Sequence, residues 1–144
     1  AIDMLLPMAQ RELRVFDPDL SDLGLHLPAR IAVLREFLAR SRNNRLLIAV
    51  HKTGFIERHA PRLITVLGLF APSIFIRRTQ GDAARVEDCF ILCDDAHLVR
   101  RPVAAQARGV ILNNDLEEGA RMRERFDQIW ESSEPGVAAN TSGL

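Results

Sequence analysis

The sequence has no excess of charge of either sign and almost no lysine. Its 144 residues carry 19 basic and 19 acidic side chains, and Lys52 is the only lysine. A nucleic-acid-binding protein usually has a basic excess or stripe, and a membrane-surface protein usually has a basic amphipathic helix. Neither feature stands out, so we expect neither nucleic acid nor a membrane as a partner. We attribute the excess of arginine over lysine to genome composition, so it does not by itself indicate phosphate recognition.

Long apolar runs, disulfide frameworks and a leader sequence are also lacking. No run approaches the roughly 20 apolar residues of a membrane-spanning helix, and the first residues have neither the basic nor the long apolar segment of a signal peptide. Cys89 and Cys93 are the only cysteines, which is typical of a reducing cytoplasm. We therefore expect a cytoplasmic location. Because there is no initiator methionine, we also expect a domain taken from a longer protein.

Motifs for common cofactors and metals are absent as well. The chain has no phosphate-binding G-x-x-x-x-G-K-[ST] loop, no G-x-G-x-x-G and no G-x-S-x-G. Its four histidines have no cysteine or carboxylate at ligand spacing. We therefore expect no cofactor and no metal site.

Alternating helical and strand-like segments define the predicted architecture. Apolar residues at spacings of three and four indicate helices, and short continuous apolar runs indicate strands that are covered on both faces. The predicted helices are at 3–12, 28–42, 61–72 and 114–133, and the predicted strands are at 13–17, 45–50, 73–78, 89–94, 97–101 and 109–113. This order predicts an α/β fold with a mixed, mostly parallel sheet and helices on both faces. We assign residues 1–133 to a single domain and residues 134–144 to a loose C-terminal tail.

The last predicted helix has the strongest local signals. Asn114 followed three residues later by Glu117 resembles a capping box. Phe126 and Trp130 lie on its apolar face, and we expect both to be buried against the sheet.

The stretch VEDCFILCDD, residues 86–95, has the pattern of a buried strand that ends in two carboxylates. Together with the order of the elements and the pattern ERFDQIWESS in the last helix, it resembles one half of the phospholipase D superfamily. The late strand of that family carries the motif H-x-K-x-x-x-x-D. When the Asp of this motif is placed on Asp94, its Lys falls on Cys89 and its His on Glu87. No H-x-K occurs anywhere in the chain.

The resemblance implies a mechanism that these residues do not support. In the family, a histidine attacks phosphorus, a second histidine from a paired domain protonates the leaving group, and lysines stabilise the phosphate charge. Glu87 is anionic and repels a phosphodiester, and Cys89 supplies no positive charge. The electrostatic stabilisation that usually contributes most to catalysis would thus have the wrong sign. For Asp94 we expect a structural role as an acceptor of backbone N–H groups in a tight turn.

The chain also resembles a bacterial branch of the superfamily that lacks the motif and is sometimes attached to acetyltransferase domains. We therefore expect a catalytically inactive domain that acts as a binding, dimerisation or regulatory module of a larger bacterial protein. An attached acetyltransferase domain is one expected partner. A second copy of the chain is another, because single-repeat relatives typically pair through equivalent strand ends. Two alternatives stay open: an enzyme with a relocated site that uses His51, His97 or Glu87, and a remnant that binds phosphate or nucleic acid.

Five residues are candidates for binding an anion or another ligand, namely His51, Lys52, Arg77, His97 and Arg100. The first two follow the strand at 45–50, and ligands favour the carboxyl ends of strands in open α/β sheets. The two arginines lie at the ends of strands and could form a basic patch. The remaining histidine sits just after Asp95, and such a pair can orient a general base. For each residue the simpler alternative is an ordinary solvated side chain.

The two cysteines are four residues apart in one predicted strand and should point to the same face. At ~3.3 Å per residue their separation is ~13 Å, whereas a disulfide needs Cα atoms within ~7 Å. We expect two buried thiols that do not pair with each other.

Overall fold

The computed structural model of the protein describes residues 2–101, 110–112 and 114–138. The strands are β1 (Glu12–Asp17), β2 (Arg45–Val50), β3 (Ile74–Arg78), β4 (Cys89–Cys93), β5 (His97–Arg101), β6 (Val110–Leu112) and β7 (Glu134–Val137). The helices are α1 (Ile2–Leu5), α2 (Pro28–Arg40), α3 (Gly54–His59), α4 (Pro61–Leu69) and α5 (Leu116–Glu131), with short 3-10 helices at Leu6–Met8 and Gly81–Arg85. All six predicted strands and the three long predicted helices are thus confirmed, with ends that shift by a few residues. None of the helices in these ranges is both long and apolar enough to cross a membrane.

The strands form one seven-stranded sheet in the order β6-β5-β4-β1-β2-β3-β7. The β1–β2 and β2–β3 pairs are parallel, and the other four pairs are antiparallel. The predicted mixed α/β sheet is therefore confirmed, but its mostly parallel character is wrong. Strand–helix–strand crossovers leave a pattern in the sequence, whereas the antiparallel contact between β1 and the distant β4 leaves no local signal.

One face of the sheet is covered by the helices of the N-terminal half. Leu13 and Ile48, from the central strands, are fully buried on this face. They belong to one cluster with Leu34 of α2 and Leu63 of α4. The prediction of helices on both faces is confirmed, because α5 lies on the other side.

Among the described residues, helix α5 covers the second face. Phe126 is fully buried, and its ring meets that of Phe90 edge-on at 6.2 Å between centroids. Trp130 stacks on Phe126 at 5.6 Å but is only partly buried. The expected burial is thus confirmed for Phe126 and only in part for Trp130, which lies in the last turn of the helix.

The N-cap of helix α5 lies one residue after the predicted one. Asp115, not Asn114, is the N-cap residue, and its carboxylate accepts the backbone N–H of Glu118 at 3.0 Å. An acidic N-cap also interacts favourably with the positive end of the helix dipole. Asn114 instead has a φ of 55°, in the left-handed region that asparagine tolerates better than most residues.

Helix α5 packs against the β4–β5 hairpin with no room for a side chain at Gly119. A Cβ atom at this position would lie 1.7 Å from the carbonyl oxygen of Asp95 and 3.2 Å from Cα of Ala96. The backbone N–H of Asp115 donates to the carbonyl of Ala96 at 3.1 Å, and Arg123 pairs with the Asp95 carboxylate at 3.1 Å. The hairpin and the helix are therefore in direct backbone contact.

The segment assigned to a loose tail begins with a strand. β7 pairs with β3 in antiparallel orientation and is the outermost strand on that side of the sheet. The Arg78 side chain bonds the carboxylate of Glu134 and lowers its pKa. The prediction is therefore wrong for residues 134–137, because pairing with an open sheet edge outweighs the turn-forming composition. Residues 139–144 lie outside the described ranges.

The burial of Phe126 leads to a prediction about stability. Phe126→Ala should lower the free energy of unfolding by ~3–5 kcal/mol, because it leaves a cavity between α5 and the sheet. The matched control is Leu116→Ala at the start of the same helix, where the side chain is 68% exposed; its effect should stay within about 0.5 kcal/mol. Urea denaturation of both variants measures the difference. A loss below about 1 kcal/mol for Phe126→Ala, well under the range for a buried phenylalanine, would contradict this packing.

Candidate functional site

The strand that carries the motif positions lies inside the sheet, between β5 and β1. The C-terminal ends of the parallel strands β1, β2 and β3 form one edge of the sheet, which we call the carboxyl edge; the opposite edge is the amino edge. β4 runs antiparallel to β1, with Phe90 beside Phe16 and Cys93 beside Leu13. It therefore starts at the carboxyl edge and ends at the amino edge.

The three motif positions have different environments. Glu87 lies just before β4 and is exposed, whereas Cys89 at the start of the strand is 4% exposed. Asp94 directly follows the strand, at the amino edge. The two positions that the resemblance aligns with the histidine and lysine of the motif thus hold an exposed carboxylate and a buried thiol.

The structure brings four of the five candidate ligand-binding residues to the carboxyl edge and places the fifth at the amino edge. The four are His51, Lys52, Arg77 and Arg100, and the fifth is His97. Their common location follows from the register of the strands. Their contacts differ, however, and most of these side chains are engaged within the protein.

Both ring nitrogens of His51 have partners. Nδ1 lies 2.6 Å from Oγ1 of Thr79, and Nε2 lies 2.6 Å from the carbonyl oxygen of Val86. A carbonyl only accepts, so Nε2 carries the proton, and in the neutral ring Nδ1 accepts from the Thr79 hydroxyl. Phe16 contacts the imidazole edge-on at 5.3 Å. His51 therefore fastens the segment before β4 to the end of the sheet and has no nitrogen left for a substrate.

Lys52 and Arg77 have different surroundings. Lys52 is exposed, and its backbone N–H donates to the carbonyl of Pro18 at 3.0 Å. The guanidinium of Arg77 donates to the carbonyl of Trp130 at 2.9 Å and lies 4.7 Å from the centroid of the indole ring. A cation at the C-terminal end of a helix is favourable, so Arg77 stabilises the C-terminal end of α5.

A charged network that the sequence did not indicate lies between β4, β5 and α5. Asp88 is 4% exposed, and its carboxylate lies 2.7 Å from Arg125 and 3.7 Å from Arg100. Arg100 also lies 3.6 Å from Glu118, which pairs with Arg121 at 2.6 Å. A carboxylate next to a buried apolar run was the only signal in the sequence, because its partners are far away along the chain. Each of these arginines already faces a carboxylate, so the network offers little net positive charge to an anion.

Asp94 joins the β4–β5 hairpin to the start of β1. Its Oδ1 accepts the backbone N–H of Arg11 at 2.8 Å and that of Glu12 at 3.1 Å, and its Oδ2 accepts that of Gln10 at 3.2 Å. The backbone N–H of Asp94 donates to the carbonyl of Glu12 at 2.7 Å. The carboxylate thus accepts backbone N–H groups as expected, but the donors lie in residues 10–12 and not in its own turn. No local pattern in the sequence indicates these partners.

A polar cleft of about 540 Å³ opens beside Asp94 at the amino edge. Its walls include Arg11, Asn43 and Asp95. The Asp95 carboxylate already faces Arg14 at 3.5 Å and Arg123 at 3.1 Å. The carboxylates of the cleft are therefore compensated within the chain.

His97 does not form the Asp–His pair that its position suggested. Its Nδ1 accepts the backbone N–H of Asn114 at 3.3 Å, whereas Asp95 pairs with arginines. Within residues 2–101, 110–112 and 114–138, no group of three His, Cys, Asp or Glu is arranged to hold a metal ion.

Both cysteines are buried thiols that form no disulfide, as predicted. Cys93 is fully buried, and its Sγ lies 3.9 Å from Oδ2 of Asp94. Burial, assisted by the negative charge of Asp94, raises the pKa of Cys93 to about 12. Because the thiolate is the reactive form, this side chain is inert at neutral pH.

Solved structures of the phospholipase D superfamily have the same fold. Nuc, a phospholipase D family member from Salmonella typhimurium, aligns over 94% of this chain and 88% of its own, with a TM-score of 0.65 and 14% identity. NucT from Helicobacter pylori aligns over 94% of this chain and 90% of its own, with a TM-score of 0.62 and 12% identity. The archaeal chromatin protein TrmBL2, described as showing a novel mode of DNA binding, aligns over 93% of this chain with a TM-score of 0.66 and 17% identity; the match spans 48% of its length. The chain therefore has a phospholipase D-like fold, which confirms the resemblance at the level of fold.

The sequence itself belongs to a defined family. The model of the domain of unknown function DUF7931 matches residues 1–139, so the chain is a member of that family. No curated protein matches the sequence.

The bonds of Asp94 lead to a second prediction. Asp94→Asn should lower the free energy of unfolding by about 1–2 kcal/mol, because an amide cannot accept from three N–H groups and places its own N–H₂ against one of them. Asparagine also tolerates the φ of 57° at this position, so backbone strain does not confound the result. Asp95→Asn, on the more exposed neighbour, is the matched control. Thermal or urea denaturation measures the loss of stability in each variant. Equal losses would show that the three N–H bonds of Asp94 contribute no more to stability than the contacts of the Asp95 carboxylate.

A third prediction concerns the thiols. A water-soluble alkylating reagent should label neither cysteine of the native protein at pH 8, and both at once after unfolding, because both are buried and burial raises the pKa of Cys93 to about 12. Raising the pH to 9 should not accelerate labelling of Cys93 in the native state, since the thiol stays protonated there. Mass spectrometry after timed quenching identifies the labelled residue. Rapid labelling of Cys93 in the folded protein would contradict its placement.

Proposed function

We propose that this chain is a catalytically inactive phospholipase D-like domain that serves as a binding, dimerisation or regulatory module of a larger bacterial protein. The observation that carries the proposal is the pair of residues at the start of the motif strand, the exposed Glu87 and the buried Cys89. Hydrolysis of a phosphodiester requires donors and cations where negative charge develops. A carboxylate at the histidine position repels the substrate, and a buried thiol at the lysine position supplies no charge.

The charges around these positions support the same conclusion. Arg100 and Arg125 face Asp88, and Arg78 is paired with Glu134. An ion pair leaves much less field for a third charge than a lone arginine does. The carboxyl edge is therefore poorly suited to the stabilisation of a phosphate transition state.

An enzyme with a relocated site has less support. Its candidate residues would have to meet in one pocket, but His51 lies at the carboxyl edge and His97 at the amino edge. Both ring nitrogens of His51 are engaged, and the Nδ1 of His97 accepts a backbone N–H. These scattered and occupied groups favour a binding module over a catalyst. In this proposal any chemistry lies in another part of the larger protein, for which an acetyltransferase domain is one candidate.

Binding of nucleic acid is the second candidate function. It is favoured by the structural similarity to TrmBL2, which is described as a DNA-binding chromatin protein. The equal numbers of acidic and basic residues weigh against it, because phosphate contacts dominate non-specific affinity for nucleic acid.

The fourth prediction tests catalytic inactivity. The purified chain should not hydrolyse bis(p-nitrophenyl) phosphate, phosphatidylcholine vesicles or labelled single-stranded DNA, with or without a divalent metal ion. The double variant Glu87→His with Cys89→Lys should also be inactive, because the surrounding arginines stay bound to carboxylates. Product formation is measured over hours. In the same samples, binding of the labelled DNA is measured as its retention by the protein at low and at high salt.

Two outcomes would change the proposal. Hydrolysis that disappears in His51→Ala or His97→Ala, but not in His59→Ala at an exposed position of α3, would establish a relocated active site. Salt-sensitive retention of DNA without hydrolysis would establish the nucleic-acid-binding alternative.

A further inference from the structure

The second face of the sheet is wider than helix α5, which covers it within the described residues. Seven strands at ~4.8 Å spacing span roughly 29 Å, whereas a helix with its side chains is about 10 Å wide. Helix α5 crosses this face obliquely. It starts at the β4–β5 hairpin, where Asp115 bonds Ala96, and ends above β3, where Arg77 bonds Trp130. Two opposite corners of the face are therefore left beside the helix.

The two corners differ in chemistry. The first, on β4 and β5 at the carboxyl edge, is filled by the ion pairs of Asp88 and Arg100. The second, on β2 and β3, is apolar: Leu47 and Phe75 are cross-strand neighbours, and Phe75 is 40% exposed. Both side chains point away from the core on the first face. The residues directly before and after each of them in β2 and β3 belong to that core.

The apolar corner includes an aromatic ring from the helix. Trp130 is partly buried and lies against Arg77, two residues along β3 from Phe75 on the same face. We call the group of Leu47, Phe75 and Trp130 the aromatic corner. Tryptophan and arginine are enriched among the residues that dominate binding energy at protein interfaces.

Charges of opposite sign lie on the two elements, α5 and β2, that contribute Trp130 and Leu47 to the aromatic corner. On the flank of α5, Asp127 and Glu131 are exposed, and neither has an ion-pair partner among the described residues. Asp127 lies one turn after Arg123, which faces Asp95 on the same side of the helix. At the start of β2, the Arg45 guanidinium donates to the carbonyls of Arg42 at 2.6 Å and Asn44 at 3.0 Å. Its charge is therefore not neutralised by these contacts.

We propose that the aromatic corner is the contact surface for a second copy of this chain, related by a two-fold axis through Phe75. In such a contact the same patch is used on both copies, and a group on one side of the axis faces the group on the other side. The apolar rings would then meet at the centre. The Asp127 and Glu131 side of each copy would face the Arg45 side of its partner. A surface that carries an apolar centre and both signs of charge fits its own copy, whereas a basic or an acidic partner would match only one side.

Leu47 and Phe75 lie on the face of the sheet, whereas Trp130 lies against Arg77 at the carboxyl edge. A contact centred on Phe75 therefore differs from pairing through strand ends, and it does not depend on whether the chain is catalytically inactive. Leu69, an exposed apolar residue of α4 on the opposite side of the sheet, lies outside this group and provides a matched control.

The fifth prediction tests this surface by sedimentation equilibrium of the full chain across the micromolar range. The wild-type chain should associate to a dimer, and Phe75→Thr should raise its dissociation constant at least about tenfold, because it removes the central ring. Threonine keeps a strand-forming residue at this position. Asp127→Lys should also weaken the dimer at low salt, by opposing Arg45 of the other copy. That change is at an exposed helix position, so it leaves folding intact even if Phe75→Thr does not.

Leu69→Gln and Glu87→Arg are the controls, and neither should change the dissociation constant. A wild-type chain that stays monomeric, or a dimer that withstands both Phe75→Thr and Asp127→Lys, would overturn the proposal. A dimer that is lost in Glu87→Arg alone would instead assign the contact to the carboxyl edge. Hydrolysis assays report separately on catalytic inactivity, so the two proposals fail independently.

Discussion

The carboxylate of Asp94 holds together two parts of the chain that are far apart in sequence. It accepts three backbone N–H groups from residues 10–12, and the N–H of the same residue bonds the carbonyl of Glu12. These bonds fix the antiparallel register between β1 and β4, which in turn places Phe90 beside Phe16 under α5. The apolar core under α5 follows from that register. So does the division of the candidate residues between the carboxyl edge and the amino edge. Asp94, the one residue that the resemblance matches to the motif, thus has a use in folding.

The residues at the other end of β4 belong to a charged network. Asp88, between Glu87 and Cys89, is buried and binds two arginines. Removing one partner would leave the other charge without compensation. This would destabilise the folded state by more than the intact ion pair stabilises it. The network therefore holds β4, β5 and α5 together at the carboxyl edge.

Local patterns in the sequence predicted most of the elements, because each helix and strand has its own periodicity. They did not predict the pairing of strands. The β1–β4 contact and the β7 strand join segments distant in sequence, so the sheet was wrongly expected to be mostly parallel and Glu134 to be in a loose tail. The same limit applies to the site. Glu87 and Cys89 could be compared with a motif, whereas the partners of His51, Asp88 and Asp94 depend on tertiary structure. The capping error at Asn114 is smaller, since adjacent Asn and Asp residues both suit a helix start.

The contact at Gly119 has a mechanical consequence. Because the helix backbone touches the carbonyl of Asp95 without an intervening side chain, α5 cannot slide or roll across the hairpin unless the two separate. Flexible side chains usually absorb small displacements between packed elements, and here there are none at the point of contact. We therefore expect the hairpin and the last helix to move as one rigid unit. A displacement of the hairpin tip at the amino edge would then also shift Trp130, which contacts Arg77 at the carboxyl edge.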